Sequence, residues 1–484
     1  MRLTGPAAWA IAALVSAAGC TSLPPIDRYL LETQPTRVRL QGSHGPLSHE
    51  ESARVLARME ARSPDTAIFD HHVAIEQTLA GTSLSVGNNA TLLKDGPATY
   101  AATLAAIRAA RSSVHMEMYI FEAGDAGQTF ANALIERRKA GVTVRILYDS
   151  VGSLDTPKEF FEGLRQAGIE VEEFNPVTAG SALAKGIELD HRDHRKLVVV
   201  DGRVAFLGGI NISRVYGPLR RGPGGSAPSG GSGGGFGSSG GGSGNASADA
   251  PIEDRPWRDT QVRLEGPVVA ELQRTFLAQW GSTRHEPPLT DPALFPTLPP
   301  AGNAIARAMP GSPDVSLDPA YVALISAIES SETQVRITNA YFVPAPELLE
   351  ALEHAARRGV DVQLVLPSRS DAWLVTQAAH VYYEDLLESG VKIFERQNRL
   401  LHAKTATVDG VWSTIGSTNL DWRSLTHNDE LNVVVLSPEF ARDVDAMFDA
   451  DRALSKAITR EEWSDRPLIE RVKEQLARAW VYLL

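Results

Sequence analysis

The chain of 484 residues holds a single cysteine, Cys20. One thiol excludes an intramolecular disulfide and a thiolate metal cage. Positive charge is not in excess either: 47 Lys and Arg stand against 59 Asp and Glu, a formal net charge of −12. That balance argues against a general nucleic-acid binder, which carries a basic face, while leaving room for a local basic pocket. The apolar run Ala7 to Ala18 is too short to cross a bilayer as a conventional helix. Groupings that suggest a metal are also scarce, and the pair His71-His72 reads as helix surface. With apolar residues at 43% and charged residues at 22%, the rest is ordinary globular composition, long enough for two domains and some additions.

What the chain does have is a repeat. His194-Arg195-Lys196 is followed by the apolar run Leu197 to Val200, then Asp201-Gly202, and closes on Gly208-Gly209-Ile210-Asn211. His402-Ala403-Lys404 is followed by Asp409-Gly410 and closes on Gly416-Ser417-Thr418-Asn419. Both read H-x-K-x4-D-x6-G-[GS]-x-N, with the two histidines 208 residues apart.

The N-terminus reads as a targeting segment. Arg2 precedes the apolar run, and Ala17-Ala18-Gly19 places small residues directly before Cys20. Residues 1–19 resemble a bacterial lipoprotein signal, which makes Cys20 the acylation site. Ser22, two places on, goes with outer-membrane sorting in a two-membrane bacterium. The expected location is therefore a periplasmic or cell-surface lipoprotein at a membrane. Residues 20–85 read as tether and an N-terminal region, with Pro24-Pro25 and the stretch 42–49 as tether and Glu50 to Arg62 as a short helix.

Two α/β halves follow. In 86–286, helical patterns over Thr99 to Arg111, Phe130 to Ala140 and Phe160 to Ala167 alternate with strand patterns over Ser113 to Phe121, Val142 to Tyr148 and Ile169 to Phe174. His115 and Glu117 share one strand face, directed either to a cleft or to solvent. In 314–484 the plan recurs: helices at Tyr321 to Glu329, Pro346 to Arg358 and Val381 to Glu388, strands at Val335 to Phe342, Val360 to Leu366 and Val391 to Phe394. Ala340-Tyr341-Phe342 takes the place of Met118-Tyr119-Ile120. This order predicts an α/β fold of two pseudo-symmetric α-β-α domains, each with a mostly parallel central sheet, facing one another across a joint cleft. Residues 217–250 form a Gly/Ser tract that reads as a flexible insertion, and the Pro-rich 287–313 reads as the linker. The C-terminal stretch Leu468 to Leu484 is amphipathic and is expected to pack on the core rather than on lipid.

The repeat itself suggests chemistry. On a strand, His194 and Lys196 point to one side, as do His402 and Lys404. These four are the catalytic candidates. Asp201 and Asp409 travel in the same motif, but they lie roughly 16 Å along the strand and read as turn residues. Asn211 and Asn419 return beside the histidines as donors to an anionic oxygen. Two histidines, two lysines and two asparagines fit phosphodiester exchange. One imidazole attacks phosphorus while the other protonates the leaving alkoxide, and the Lys and Asn groups hold the non-bridging oxygens. No metal and no cofactor is required. Asp259, 65 residues after His194, and Glu430, 28 residues after His402, are the candidates to orient each histidine.

The paired motifs resemble those of the phospholipase D superfamily, and the chain resembles its bacterial cardiolipin synthase branch. The likeness covers roughly 86–484 and includes LLKDGPATY (92–100), SVHMEMYIF (113–121), DHRDHRKLVVVDGR (190–203), PWRDT (256–260), AYFVPAPELLEAL (340–352) and LHAKTATVDG (401–410). It implies transfer of a phosphatidyl group to phosphatidylglycerol, with phosphatidylethanolamine or cardiolipin as further substrates and no nucleic-acid partner. It also implies a phosphohistidine on His194, with His402 as acid and base. A hydrolytic phospholipase D, or a nuclease of the superfamily, is the alternative. Two features depart from the common pattern: a lipoprotein-like signal stands where two membrane-spanning helices are usual, and the Gly/Ser insertion is additional.

Overall fold

The computed structural model describes residues 38–63, 66–79, 82–177, 190–217, 255–315, 317–469, 471, 474 and 477. Cys20, the signal-like 1–19 and the Gly/Ser tract beyond Gly217 lie outside the described residues. The N-terminal region contributes strands β1 (Gln41–Gly42) and β2 (Gly45–Pro46), helix α1 (His49–Glu60), a π-helical turn (Ile68–His72) and α2 (Val73–Leu79).

The first half runs β3 (Ser85–Lys94), α3 (Asp95–Ala109), β4 (Ser113–Met118), α4 (Asp125–Lys139), β5 (Thr143–Asp149), α5 (Lys158–Gln166), β6 (Glu170–Phe174), β7 (Arg192–Asp193), β8 (Lys196–Val200), β9 (Val204–Gly208), β10 (Thr260–Glu265) and α6 (Val268–Arg284). The second runs β11 (Ala304–Gly311), α7 (Pro319–Glu329), β12 (Gln334–Thr338), α8 (Pro346–Arg357), β13 (Asp361–Pro367), α9 (Trp373–His380), α10 (Tyr383–Ser389), β14 (Lys392–Arg396), β15 (Thr405–Val408), β16 (Trp412–Gly416), α11 (Trp422–Thr426), β17 (Asn428–Leu436), α12 (Pro438–Arg452), β18 (Ser455–Ile458) and α13 (Arg460–Ser464).

Strand pairing gives the order β3-β10-β9-β8-β4-β5-β6 in one half and β11-β17-β16-β15-β12-β13-β14-β18 in the other. In each, three strands joined by helices are parallel, and the hairpin strands that carry the repeat extend the sheet in antiparallel fashion. A helical crossover returns a strand parallel, whereas the two-residue Asp-Gly turn can only return it antiparallel. The start of β8 lies opposite the end of β4 (Met118 with Lys196), and the start of β15 opposite the end of β12 (Thr338 with Thr405). Both repeats therefore begin at the carboxyl edge of the parallel strands, where open α/β sheets bind ligands.

β3 also pairs with β11, joining the two sheets. One apolar cluster crosses the junction, with Leu197, Leu207, Val262 and Phe276 from the first half and Ile415, Val433, Phe440 and Val444 from the second. Burial of this much apolar surface makes the halves one body.

Three expectations change. Residues 42–49 are not tether: β1 and β2 pair through a turn at Ser43 and His44, and Leu40, Met59, Ile68 and Val73 enter the core of the second half. His72 is not helix surface. It is fully buried, with Nδ1 2.9 Å from Ser326 Oγ and Nε2 2.8 Å from Glu76 Oε1. Glu76 stands four residues on, the helical spacing that lets a buried imidazole find its partner. Finally, 287–313 is linker only in its first part. β11 pairs with β17 from Ile305–Leu436 to Gly311–Glu430. Pro310 is tolerated there because β3 covers β11 only as far as Ala306, so the far edge at Pro310 needs no donor.

Of the C-terminal stretch, Ala477 is buried against Val343, Val375 and Ala378, and Glu474 accepts from Arg466, while Leu468 and Ile469 are exposed. Most of 470–484 lies outside the described residues. The described residues contain no helix long and apolar enough to cross a membrane.

Candidate active site

The hairpin turns sort the repeat into two ends. Asp201 and Gly202 have φ of 54° and 60°, and Asp409 and Gly410 have 49° and 62°. Positive φ at both central residues is the type I′ turn that Asp-Gly favours. The Asp201 carboxylate accepts from the backbone N–H of Arg111, Ser112 and Ser113. Asp409 accepts from those of Glu332, Thr333 and Gln334 and from the Thr66 hydroxyl. Both aspartates thus tie the far ends of the hairpins to the strands beside them. Carried in the motif with the catalytic candidates, they stand away from the histidines, because five residues of extended chain intervene.

At the near end the halves interlock. β7 pairs in parallel with the start of β17, and His194 N–H donates to Asp429 O at 2.9 Å. On the other side, Arg258 and Leu401 form a parallel bridge, and His402 N–H donates to Arg258 O at 2.8 Å. Each histidine is thereby fastened to the residue that precedes the carboxylate of the opposite half. Glu430 accepts from Nδ1 of His194, at 2.9 and 3.1 Å. Asp259 accepts from Nδ1 of His402 at 2.7 Å. The expectation that each carboxylate serves the histidine of its own half is corrected: the pairs are crossed. In both cases a carboxylate on Nδ1 holds the tautomer and leaves Nε2 for chemistry.

The lysines complete the centre. Lys196 Nζ donates to His194 O, and Lys404 Nζ donates to His402 O at 2.6 Å and lies 3.0 Å from both ring nitrogens. Both are buried. Burial lowers the Lys196 ammonium to about 7 and that of Lys404 to about 8, with Glu430 and Asp259 opposing the shift. Burial also lowers both imidazoles, aided by Lys196 at His194 and by Lys404 at His402. Two buried cations held this way favour an anion between them. Burial pushes Glu430 up to about 7 against the pull of Lys196, Ser417 and Asn428.

Asn211 is engaged differently from the expectation. Asn211 Oδ1 accepts from Ile120 N–H at 3.0 Å and Nδ2 donates to the Tyr216 hydroxyl at 3.2 Å, so its amide braces the hairpin end. Asn419 is buried, and its Oδ1 has no hydrogen-bond partner among the described residues. Gly209 also has a reason other than room for a ligand: a Cβ there would lie 2.3 Å from Asp259 Oδ1. Its counterpart Ser417 instead donates from Oγ to Glu430 Oε2.

Several neighbours escaped the sequence reading. Tyr119 packs edge-on to His194 (4.9 Å between ring centres), and Tyr341 to His402 (6.3 Å). The tyrosine shared by Met118-Tyr119-Ile120 and Ala340-Tyr341-Phe342 was the available signal. Trp257 lies 5.3 Å and Tyr216 6.3 Å from His402, positions that no spacing announces. Of the open pair, His115 faces neither cleft nor solvent: it stacks on Phe276, and Nδ1 lies 3.1 Å from Gln273 Oε1. Glu117 lies buried 3.6 Å from Arg195. Arg195 in turn donates to Glu430 O (3.0 Å) and Gly311 O (2.8 Å) and pairs with Asp429 (3.5 Å). Among the described residues no group of three or more His, Cys, Asp or Glu is placed to hold a metal.

Comparison with known proteins gives the family and the fold. The family model described as "Cardiolipin synthase, PLD-like domain" matches residues 103–216 and 324–452. The major cardiolipin synthase ClsA of Bacillus subtilis is 32% identical over 392 residues, 81% of this chain and 74% of that one. Cardiolipin synthase A of Pseudomonas aeruginosa is 33% identical over 393 residues, 81% and 72% of the two chains. Among solved structures, the phosphatidylserine synthase of Haemophilus influenzae shares the fold, with a TM-score of 0.58 at 11% identity over 81% of this chain and 93% of that one.

Proposed function

Since the chain belongs to the cardiolipin synthase family with the phospholipase D-like domain, we propose that it makes cardiolipin by transferring a phosphatidyl group to phosphatidylglycerol. The observation that carries the reading is the crossed pair of histidine–carboxylate couples, with two buried lysines, where the two halves interlock.

In the first step Nε2 of His194 attacks phosphorus and the bond to the headgroup oxygen breaks. Nε2–H of His402 gives its proton to that oxygen, and the alcohol leaves. Glu430 on Nδ1 supports the imidazolium-like charge on His194, and Asp259 does the same for His402. Lys196 and Lys404 take up the charge that builds on the non-bridging oxygens. In the second step His402 Nε2 accepts a proton from the hydroxyl of phosphatidylglycerol. The oxygen attacks phosphorus, and the P–N bond returns its electron pair to His194.

The test is to incubate the purified full chain with labelled phosphatidylglycerol, with and without phosphatidylethanolamine, and to identify the products. Cardiolipin with released glycerol is expected. Phosphatidic acid without cardiolipin would instead establish a hydrolase.

The same reading places the mouth at a lipid surface. Exposed apolar side chains follow matching strands: Val151 and Leu154 in the loop after β5, and Trp373 at the start of α9 after β13. Loops after the parallel strands rim the cleft, where a bilayer would supply substrate. Acylation of Cys20 in a lipoprotein, in the outer membrane of a two-membrane bacterium, would hold the enzyme at that surface. Metabolic labelling with a fatty acid, lost in Cys20→Ser, is the check.

A further inference from the structure

The groups beside the two site tyrosines differ. At the His194 end, Arg423 lies near enough for its charge to act on both His194 and Tyr119. At the His402 end, the matching tyrosine, Tyr341, donates its hydroxyl to Asp371, 2.8 and 2.9 Å from the two carboxylate oxygens. Ser370 Oγ donates to the same group at 2.9 Å. Asp371 is exposed on the loop between β13 and α9. Its negative charge reaches both His402 and Lys404.

Trp257 and Tyr341 wall the approach to His402, and Asp371 closes its outer side. This carboxylate has no evident duty in the fold, because its hydrogen bonds run to the adjacent Ser370 and to the recess tyrosine. Near a phosphate it is unfavourable, since like charges repel. The Tyr341 and Ser370 hydroxyls leave it acceptor capacity to spare, because an ionised carboxylate offers about four lone-pair sites, and a further donor at that end would use it. The alcohol is what occupies the His402 end, leaving in the first step and arriving in the second. Both glycerol and ethanolamine headgroups carry a donor, a hydroxyl or an ammonium, on the carbon next to the one bearing the reacting oxygen.

We propose that Asp371 reads the alcohol: it accepts a hydrogen bond from the vicinal hydroxyl or ammonium of the headgroup at the His402 end, and so favours such alcohols over water. This rests on the transfer reading above, and its test separates the two. The full-length enzyme acts on phosphatidylglycerol vesicles with 1,2-propanediol or 1-propanol as acceptor, and both transfer products and phosphatidic acid are measured.

The wild type should prefer the diol, and Asp371→Ala should lower that preference about tenfold, the value of one hydrogen bond to a charged group. Tyr341→Phe, which keeps the ring and frees the carboxylate, should lower it less. Asp371→Asn separates the sources: greater loss with a phosphatidylethanolamine donor than with phosphatidylglycerol assigns the site to the ammonium, and equal loss to the hydroxyl. An unchanged diol-to-propanol ratio in both Asp371→Ala and Tyr341→Phe overturns the proposal. So does an equal fall in diol transfer, propanol transfer and hydrolysis, which marks Asp371 as merely structural. A wild type that hydrolyses without making cardiolipin overturns the transfer reading, while the alcohol ratio still decides the role of Asp371.

Discussion

The two halves carry the same motif in different surroundings. In the first, the residue between His and Lys is Arg195, whose guanidinium is bound by Glu430 O and Gly311 O and faces Asp429 and Glu117. In the second it is Ala403, fully buried in an apolar cluster with Val365, Leu401 and Phe448. Behind Asp259 stands Gly209, leaving room for the carboxylate; behind Glu430 stands Ser417, donating to it. The charged neighbour of Asp259 is Arg258, paired with Asp451 (2.8 Å) and Asp95 (3.3 Å), where Glu430 has Asp429. A duplicated framework has thus been specialised around two histidines that each depend on the other half.

The hardest blow to the comparison is loss of either histidine. His194→Ala and His402→Ala should each cost about 10⁴-fold in turnover, as removal of a nucleophile or its base partner does. Mixing the two purified variants should restore nothing, since both histidines come from one chain. Recovery on mixing would mean the site forms between molecules.

The crossed pairs come next. Glu430→Gln and Asp259→Asn should each lose about 10²-fold, the usual scale for an orienting partner. Quenching with phosphorus-labelled lipid distinguishes them: Asp259→Asn should accumulate phosphoenzyme, and Glu430→Gln should not. The reverse pattern would exchange the roles of His194 and His402.

pH sharpens the comparison further. kcat/KM should fall as pH rises through about 7 to 8, because Lys196 and Lys404 lose their protons in the free enzyme. A flat profile to pH 10 would remove the lysines from charge stabilisation. For stability the sign follows from Glu430, whose folded value of about 7 lies above the ordinary carboxylate range. The folded chain binds that proton more tightly, so Glu430 makes stability decline as pH rises from the ordinary range to about 7. Glu430→Gln should abolish that part of the slope in denaturant titrations.

Smaller effects test the second layer. Gly209→Ala pushes a methyl to within 2.3 Å of Asp259 Oδ1 and should cost about 1–3 kcal/mol as well as activity. Ser417→Ala removes one donor from Glu430 and should slow turnover about two- to tenfold. Least of all, Asp201→Asn and Asp409→Asn should leave kcat per folded molecule unchanged. They lower Tm, Asp409 more because it is buried and accepts from two hydroxyls, Thr66 and Thr333, where Asp201 accepts from one, Ser112. A large loss of kcat in either would return the aspartates to the chemistry.

Much of the framework was legible in the residues. The strands and helices of both halves lie within a few positions of their hydrophobic periods, and the Asp-Gly turns follow from the positive φ that this dipeptide accepts. Less legible were elements that break local rules. β11 contains Pro310 and sits in Pro-rich surroundings, so its strand character depends on β17 beside it. The region 42–49 looks like tether until Leu40 and Met59 find a core to enter. The expected helix Val381 to Glu388 corresponds to α10 (Tyr383–Ser389), but the separate short helix α9 (Trp373–His380) before it carries no such signal.

The repeat, its residue types and the end of the strand at which His and Lys lie were written in the chain, because strand geometry and turn preference act over a few neighbouring residues. Which carboxylate meets which histidine was not. His194 and Glu430 are 236 residues apart, and His402 and Asp259 are 143 apart. They meet only because two short parallel bridges carry each half across to the other, and backbone pairing between distant segments leaves no local trace in sequence.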